Sequence, residues 1–252
     1  MTQAVISAQQ EPVEAFVLRP EVAVAVSDAC DKISHNLNGQ KLGRKGKITR
    51  ERILAATLEL LAEDLEEPIT LTMVARRSSL GMSSLYNYFN DLTELLLAVL
   101  EPVMATAEDS YQCMLRTYWS DEELGARCYE FLVAYNAFWE RNTRLLHLRN
   151  SMADSRDDRM FMHRISSTQP MIALLAAQID PPESEAGSPA FAMATVLMTG
   201  IERTITVSTD RRFARFFPNA QRRHASYYLE PEARLMELAI RDTRANLVQL
   251  KA

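Results

Sequence analysis

The stretch "ITLTMVARRSSLGMSSLYNYFNDLTELL" (residues 69–96) decides how this chain is read. Thr70 or Thr72 can cap a short helix running to about Arg77, because a hydroxyl there accepts from a first-turn N–H. The small residues at 78–81 then make a tight turn, and a second short helix is predicted over residues 82–88. Asp91 caps a third helix in which Leu92, Leu95, Leu96, Val99, Leu100 and Val103 share one face at helical spacing. That helix is expected to reach about Thr117, with Pro102 bending it by removing one backbone donor.

Just upstream, Ile53, Leu54, Thr57, Leu58 and Leu61 form another helical apolar face, with Thr49 as its expected cap and Pro68 in the loop that follows. A basic cluster precedes it: Lys41, Arg44, Lys45, Lys47, Arg50 and Arg52 are opposed only by Glu51. Residues before 41 are net acidic and weakly periodic, and Gly39, Gly43 and Gly46 punctuate the end of the segment. It is expected to be mainly a flexible extension, with some helix over 22–33. The chain thus divides into an extension with a basic arm (1–46), a small helical domain (47–95) and a larger helical body (96–252).

Composition sets the class. The 252 residues are 47% hydrophobic and 24% charged, with only 7 glycines, which suits a globular chain rich in helix formers. A net charge of −5 argues against coating nucleic acid indiscriminately, yet permits a local basic site. No uninterrupted apolar run approaches the length of a membrane span, and no secretory leader is evident. Cys30, Cys113 and Cys128 are an odd, widely spaced set, as expected of reduced thiols in a cytoplasmic protein. Helices are predicted at about 121–141, 143–153, 157–178, 189–209 and 231–250, with a loop at 180–189 and an irregular connection at 211–224. The fold class expected is all-α.

Two short helices around a turn at 78–81 form a helix-turn-helix, whose second helix enters the major groove while the first braces it. Val74, Leu80 and Leu85 supply the apolar contacts and Ala75 the small residue at the crossing. Ser83, Ser84, Asn87 and Tyr88 leave polar groups outward, suited to phosphates and base edges.

These residues resemble the DNA-binding signature of the TetR family of transcriptional regulators: Thr70, Val74-Ala75, Leu80, Leu85-Tyr86, Tyr88-Phe89 and Leu95, preceded by the helix "RERILAATLELLAED". The resemblance covers about residues 47–100. It implies that Thr70 and Tyr86 contact phosphates and that Met82, Ser83, Ser84, Asn87 and Tyr88 face the groove. Lys45 and Lys47 in the basic arm are candidates for phosphate or minor-groove contact, as such arms serve in other DNA readers. Three positions depart from the pattern. Ser79 replaces a turn Gly, Gly81 replaces a capping Ser, and Leu92 replaces a Lys expected to touch phosphate.

A helix pair of this size makes too little contact for tight specific binding, so two copies on half-sites about 34–36 Å apart are expected. The body should therefore form a homodimer, through apolar residues of its last two helices: Phe191, Val196, Leu197, Ile201, Leu235, Leu238, Ile240 and Leu247. The resemblance further implies a small-molecule effector, apolar or amphipathic, in a pocket lined by adaptable side chains. Met104, Trp119, Tyr135, Phe138, Trp139, Met193 and Met198 are the candidates.

No catalytic site, cofactor or metal site is read. There is no phosphate loop and no Cys/His cluster at metal spacing, and His147 and His163 are far apart along the sequence. The expected function is a ligand-responsive transcriptional regulator, a repressor that binds double-stranded operator DNA and is released by its effector. The alternative is an all-α ligand-binding or interaction protein whose helix-turn-helix has lost DNA binding.

Overall fold

A computed structural model describes residues 18–33, 35–63, 67–210 and 226–251. Its secondary structure is helical, and among the described residues the sole β feature is an isolated antiparallel bridge between His35 and Lys41. The head contains α1 (Pro20–Asp31), α2 (Arg44–Ala62), α3 (Leu71–Arg77), α4 (Met82–Leu85) and the start of α5 (Leu92–Ala105). The body contains α6 (Ala107–Ser110), a 3-10 turn at Gln112–Arg116, α7 (Leu124–Arg141), α8 (Thr143–Asp154), α9 (Asp158–Ile179), α10 (Pro189–Ser208) and α11 (Ser226–Lys251).

The expectation that residues 1–46 are mainly a flexible extension is corrected between Pro20 and Asp31. That segment is helical throughout and inserts Val22, Val26 and Cys30 into the core against α2 and α5. Its apolar residues recur every four positions, so one face can be buried even though the segment is acidic overall. Residues 1–17 lie outside the described residues, as does the irregular connection expected at 211–224.

The basic arm is corrected too. Gly43 caps α2 without a side-chain bond, so Lys45 and Lys47 sit in the first turn of a helix. Thr49, the expected cap, lies inside it and donates to the Lys45 carbonyl at 2.9 Å. Arg50 is buried with its guanidinium 4.7 Å from the Phe89 ring, which makes it a packing residue of the head.

The third helix of the opening stretch also ends early. α5 stops at Ala105, just after Pro102, and the chain continues as a turn of α6 and a 3-10 turn. The expected single helix to Thr117 is thus broken into pieces. α11 begins at Ser226, earlier than expected, with Pro231 in its first turns.

In the body, α9 packs against α8, α10 and the 3-10 turn, and α7 packs against α11. Gln178 locks the irregular piece down: its amide accepts from Trp119 N at 2.8 Å and donates to the Leu115 and Thr117 carbonyls. Among the described helices, α10 alone is long and apolar enough to cross a membrane. It nevertheless carries Glu202 and Arg203 and buries Ala190, Ala194, Leu197, Met198, Ile201 and Ile205 against its neighbours.

Candidate nucleic-acid interface and effector cavity

The head folds around the turn at 78–81. Thr70 caps α3 by accepting from Met73 N at 3.3 Å. Ser78, buried, donates its hydroxyl to the Val74 carbonyl at 2.7 Å. Ser79 then adopts φ +53°, the left-handed region where the family pattern has Gly. An L residue there costs of order 1 kcal/mol. Gly81 caps α4 with φ −74° and no side-chain bond, so the missing Ser does remove a cap. Arg77 closes the unit by pairing with Glu59 of α2 and with Glu63 just past its end.

A single turn cannot hold a helix by itself. α4 is held because Leu85 and Phe89 are fully buried beside Val74 and Ala75. Most of the remaining side chains of the segment face out. Ser83, Ser84, Tyr86 and Asn87 are exposed, Tyr86 at 49%, while Met82 and Tyr88 are half-buried against the core. Thr70 and Lys45 are exposed. This brings a hydroxyl- and amide-rich surface together around α4.

Besides the capping Thr70, Lys47 and Asn87 are also engaged within the chain. Lys47 Nζ lies 2.7 Å from Asp31 Oδ1 and 3.1 Å from the Asp31 carbonyl, so its charge ties α2 to the end of α1. Asn87 Oδ1 accepts from Asn38 Nδ2 at 3.0 Å, and its carbonyl accepts from Leu37 N at 3.1 Å. No sequence signal announces either link, because both partners come from the segment read as flexible. Leu92 is half-buried and packs against the core.

The body holds a small cavity of about 10 Å³, lined by Met104, Tyr111, Tyr135, Phe138, Trp139, Leu146, Arg149, Ser167, Thr168, Met171 and Glu202. A space of that size has room for about one water at most. Four of the seven expected ligand residues meet there: Met104, Tyr135, Phe138 and Trp139. Trp119, Met193 and Met198 do not line it. Trp119 packs against Phe131 and donates its ring N–H to the Met114 carbonyl at 3.0 Å, and Met198 is buried in α10.

Sequence reading missed the cavity's polar side. Arg149, almost fully buried, donates to Glu202 at 3.2 Å and to Asn150 at 3.1 Å, with the Trp139 ring 6.0 Å away. Burial pushes its guanidinium pKa down, opposed chiefly by Glu202. Burial likewise raises the Tyr111 hydroxyl to about 12 and Tyr135 well above its usual value, so both remain neutral hydrogen-bonding groups. An Arg in the middle of a polar-looking helix and a Glu on an apolar one carry no local motif that would pair them. A larger cleft of about 230 Å³ opens between α1, the end of α2 and the α7–α8 corner, edged by Arg19, Arg141 and Arg144.

Several side-chain hydrogen bonds join head and body, among them one from Arg19 Nη2 to Asn142 Oδ1 at 2.8 Å. Arg144 of α8 donates to the Leu60, Glu63 and Glu67 carbonyls at and beyond the end of α2. At the start of α9, Thr93 Oγ1 donates to Asp157 at 2.6 Å and Arg159 donates to Asp91 at 3.0 Å. Asp91 is itself the N-cap of α5, accepting from Glu94 N at 2.8 Å.

A helix-turn-helix head carried on an all-helical body defines a TetR-like fold. Among solved structures the chain is similar to Salmonella enterica GusR, with 18% identity, a TM-score of 0.51, and coverage of 82% of this chain and 100% of that one. The likeness is one of fold. No family model and no curated protein matches the chain.

Proposed function

We propose that the chain is a cytoplasmic, ligand-responsive transcriptional repressor that binds operator DNA as a homodimer. The observation that carries this reading is the outward display of Ser83, Ser84, Tyr86 and Asn87 along a segment whose inner face is anchored by Leu85 and Phe89. About half of the Tyr86 side chain is left in solvent, and hydroxyl and amide groups suit phosphates and base edges.

The body supplies the rest. Of the eight apolar residues expected at the dimer interface, Leu197, Ile201 and Ile240 are buried within their own chain, whereas Val196, Leu235 and Leu238 stay exposed. A second copy would cover that remainder. The effector is a small apolar or amphipathic molecule that opens the cavity at Tyr111, Tyr135 and Trp139 and meets the Arg149–Glu202 pair. Its entry displaces α9, whose start grips Asp91 and Thr93 at the base of α5, and Met104 of α5 lines the same cavity. The effector shifts the two states only by its differential affinity for them.

The test is a titration of the protein against its own upstream intergenic DNA and a shuffled duplex at two salt concentrations. Selective binding that weakens steeply with salt is expected. Folded, dimeric protein that binds neither duplex would replace this reading with a ligand-binding or interaction protein.

A further inference from the structure

The loop at 35–41 is a built structure on the exposed side of the head. The bridge between His35 and Lys41 closes its base. Inside it, Asn36 N donates to the Gln40 carbonyl at 2.9 Å, and Asn36 Oδ1 accepts from Asn38 N at 3.1 Å and Gln40 N at 2.9 Å. Gly39 takes φ +72°, which a side chain would strain. The loop buries no apolar core of its own, and Leu37 remains exposed. Its two links to the segment around α4 both end on Asn87: Leu37 N to the Asn87 carbonyl, and Asn38 Nδ2 to Asn87 Oδ1. Lys41 at its base is exposed, and the exposed Arg44 and Lys45 follow it into α2.

We propose that this loop is a second DNA-contacting element, in which Asn38 positions the Asn87 amide for base reading and Lys41 binds a backbone phosphate beside the same half-site. The inference rests on the DNA-binding reading above. A free Asn reads adenine with both ends of its amide, accepting from N6 and donating to N7. Here Asn38 Nδ2 takes one of the two lone pairs of Asn87 Oδ1, which fixes the amide's orientation and leaves its NH2 group and one lone pair for a base edge. That arrangement pre-orients the amide, so a base edge that matches the fixed orientation is favoured over one that needs the amide turned. Asn38 is thus a positioning residue for specificity, acting through Asn87, while Lys41 adds affinity blind to sequence.

The experiment selects binding sites from randomised duplex with the full-length protein, Asn38→Ala and Lys41→Gln, followed by titrations of the selected duplex across salt. Thermal unfolding of each variant confirms that the exposed loop substitutions leave the fold intact. Asn38→Ala is expected to weaken base discrimination roughly fivefold or more at one position per half-site, with other positions unchanged. Lys41→Gln should keep the selected sequence and reduce the salt slope by about 0.9 for each phosphate that Lys41 neutralises. If the unaltered protein selects a site and both variants reproduce its preference and slope, the loop inference is overturned and the regulator reading stands. If the unaltered protein selects no site, both fall together.

Discussion

α4 and α7 use the same helical geometry for opposite ends. α4 buries one of its four residues, Leu85, and leaves Ser83 and Ser84 in solvent, whereas α7 buries eight of its eighteen, among them Phe131, Tyr135, Phe138 and Trp139. Tyr86, at the end of α4, is half exposed. Tyr135 is held in an edge-on cluster with Tyr111 and Trp139, at ring separations of 5.0 and 6.5 Å. The two regions have separable roles. Substitutions on the face of the head should change binding before stability, and substitutions around the cavity should change stability before anything else.

Breaking the cavity's ion pair puts the second half of that contrast under the greatest load. Arg149→Ala leaves Glu202 without its guanidinium and should cost about 3 kcal/mol of unfolding free energy in a urea titration. Arg149→Met combined with Glu202→Gln should cost only about 1 kcal/mol, because no charge is then stranded. Equal losses in the two variants would mean that packing, and not the stranded carboxylate, sets the cost.

On the head, Tyr86→Phe removes one hydroxyl from an exposed site. Operator affinity should fall about tenfold while the urea midpoint and the dimer stay unchanged. Unaltered affinity would take Tyr86 out of the interface and blur the contrast at its sharpest point.

Two smaller changes probe the turn. Ser79→Gly relieves a left-handed backbone and should stabilise the head by about 0.5–1 kcal/mol, after allowing for the greater freedom of Gly in the unfolded chain. Gly81→Ser meets open space where its side chain would stand and restores a cap, for a gain of roughly 0.3 kcal/mol. A fall in stability from Ser79→Gly would show that its side chain serves the turn in a way the backbone angle does not reveal.

The helix-turn-helix was legible because its signals are local. Caps at Thr70 and Asp91, small residues in the turn, and buried Val74, Leu85 and Phe89 all act within a few residues of one another. The body's helices were legible for the same reason, through apolar periodicity and the loop at 180–189. The early stop of α5 was not. Its leucines and valines are good apolar helix positions up to and past Pro102, and the irregular piece that follows is consolidated by Gln178 from a distant helix. The cavity was half legible: aromatic side chains announce a core, but which of the candidates meet depends on how α5, α7 and α9 cross.

By itself the sequence determined the all-α class, the position of the turn and the exposed polar face around α4, since periodicity, capping and turn geometry are properties of neighbouring residues. Tertiary structure alone decided that α1 belongs to the core, that Lys47 is engaged by Asp31, that Asn38 holds Asn87 and that Arg149 meets Glu202. Each of these joins residues far apart along the chain or hidden in a segment of weak periodicity. The energy of such a contact exists only once other helices have brought its two ends together.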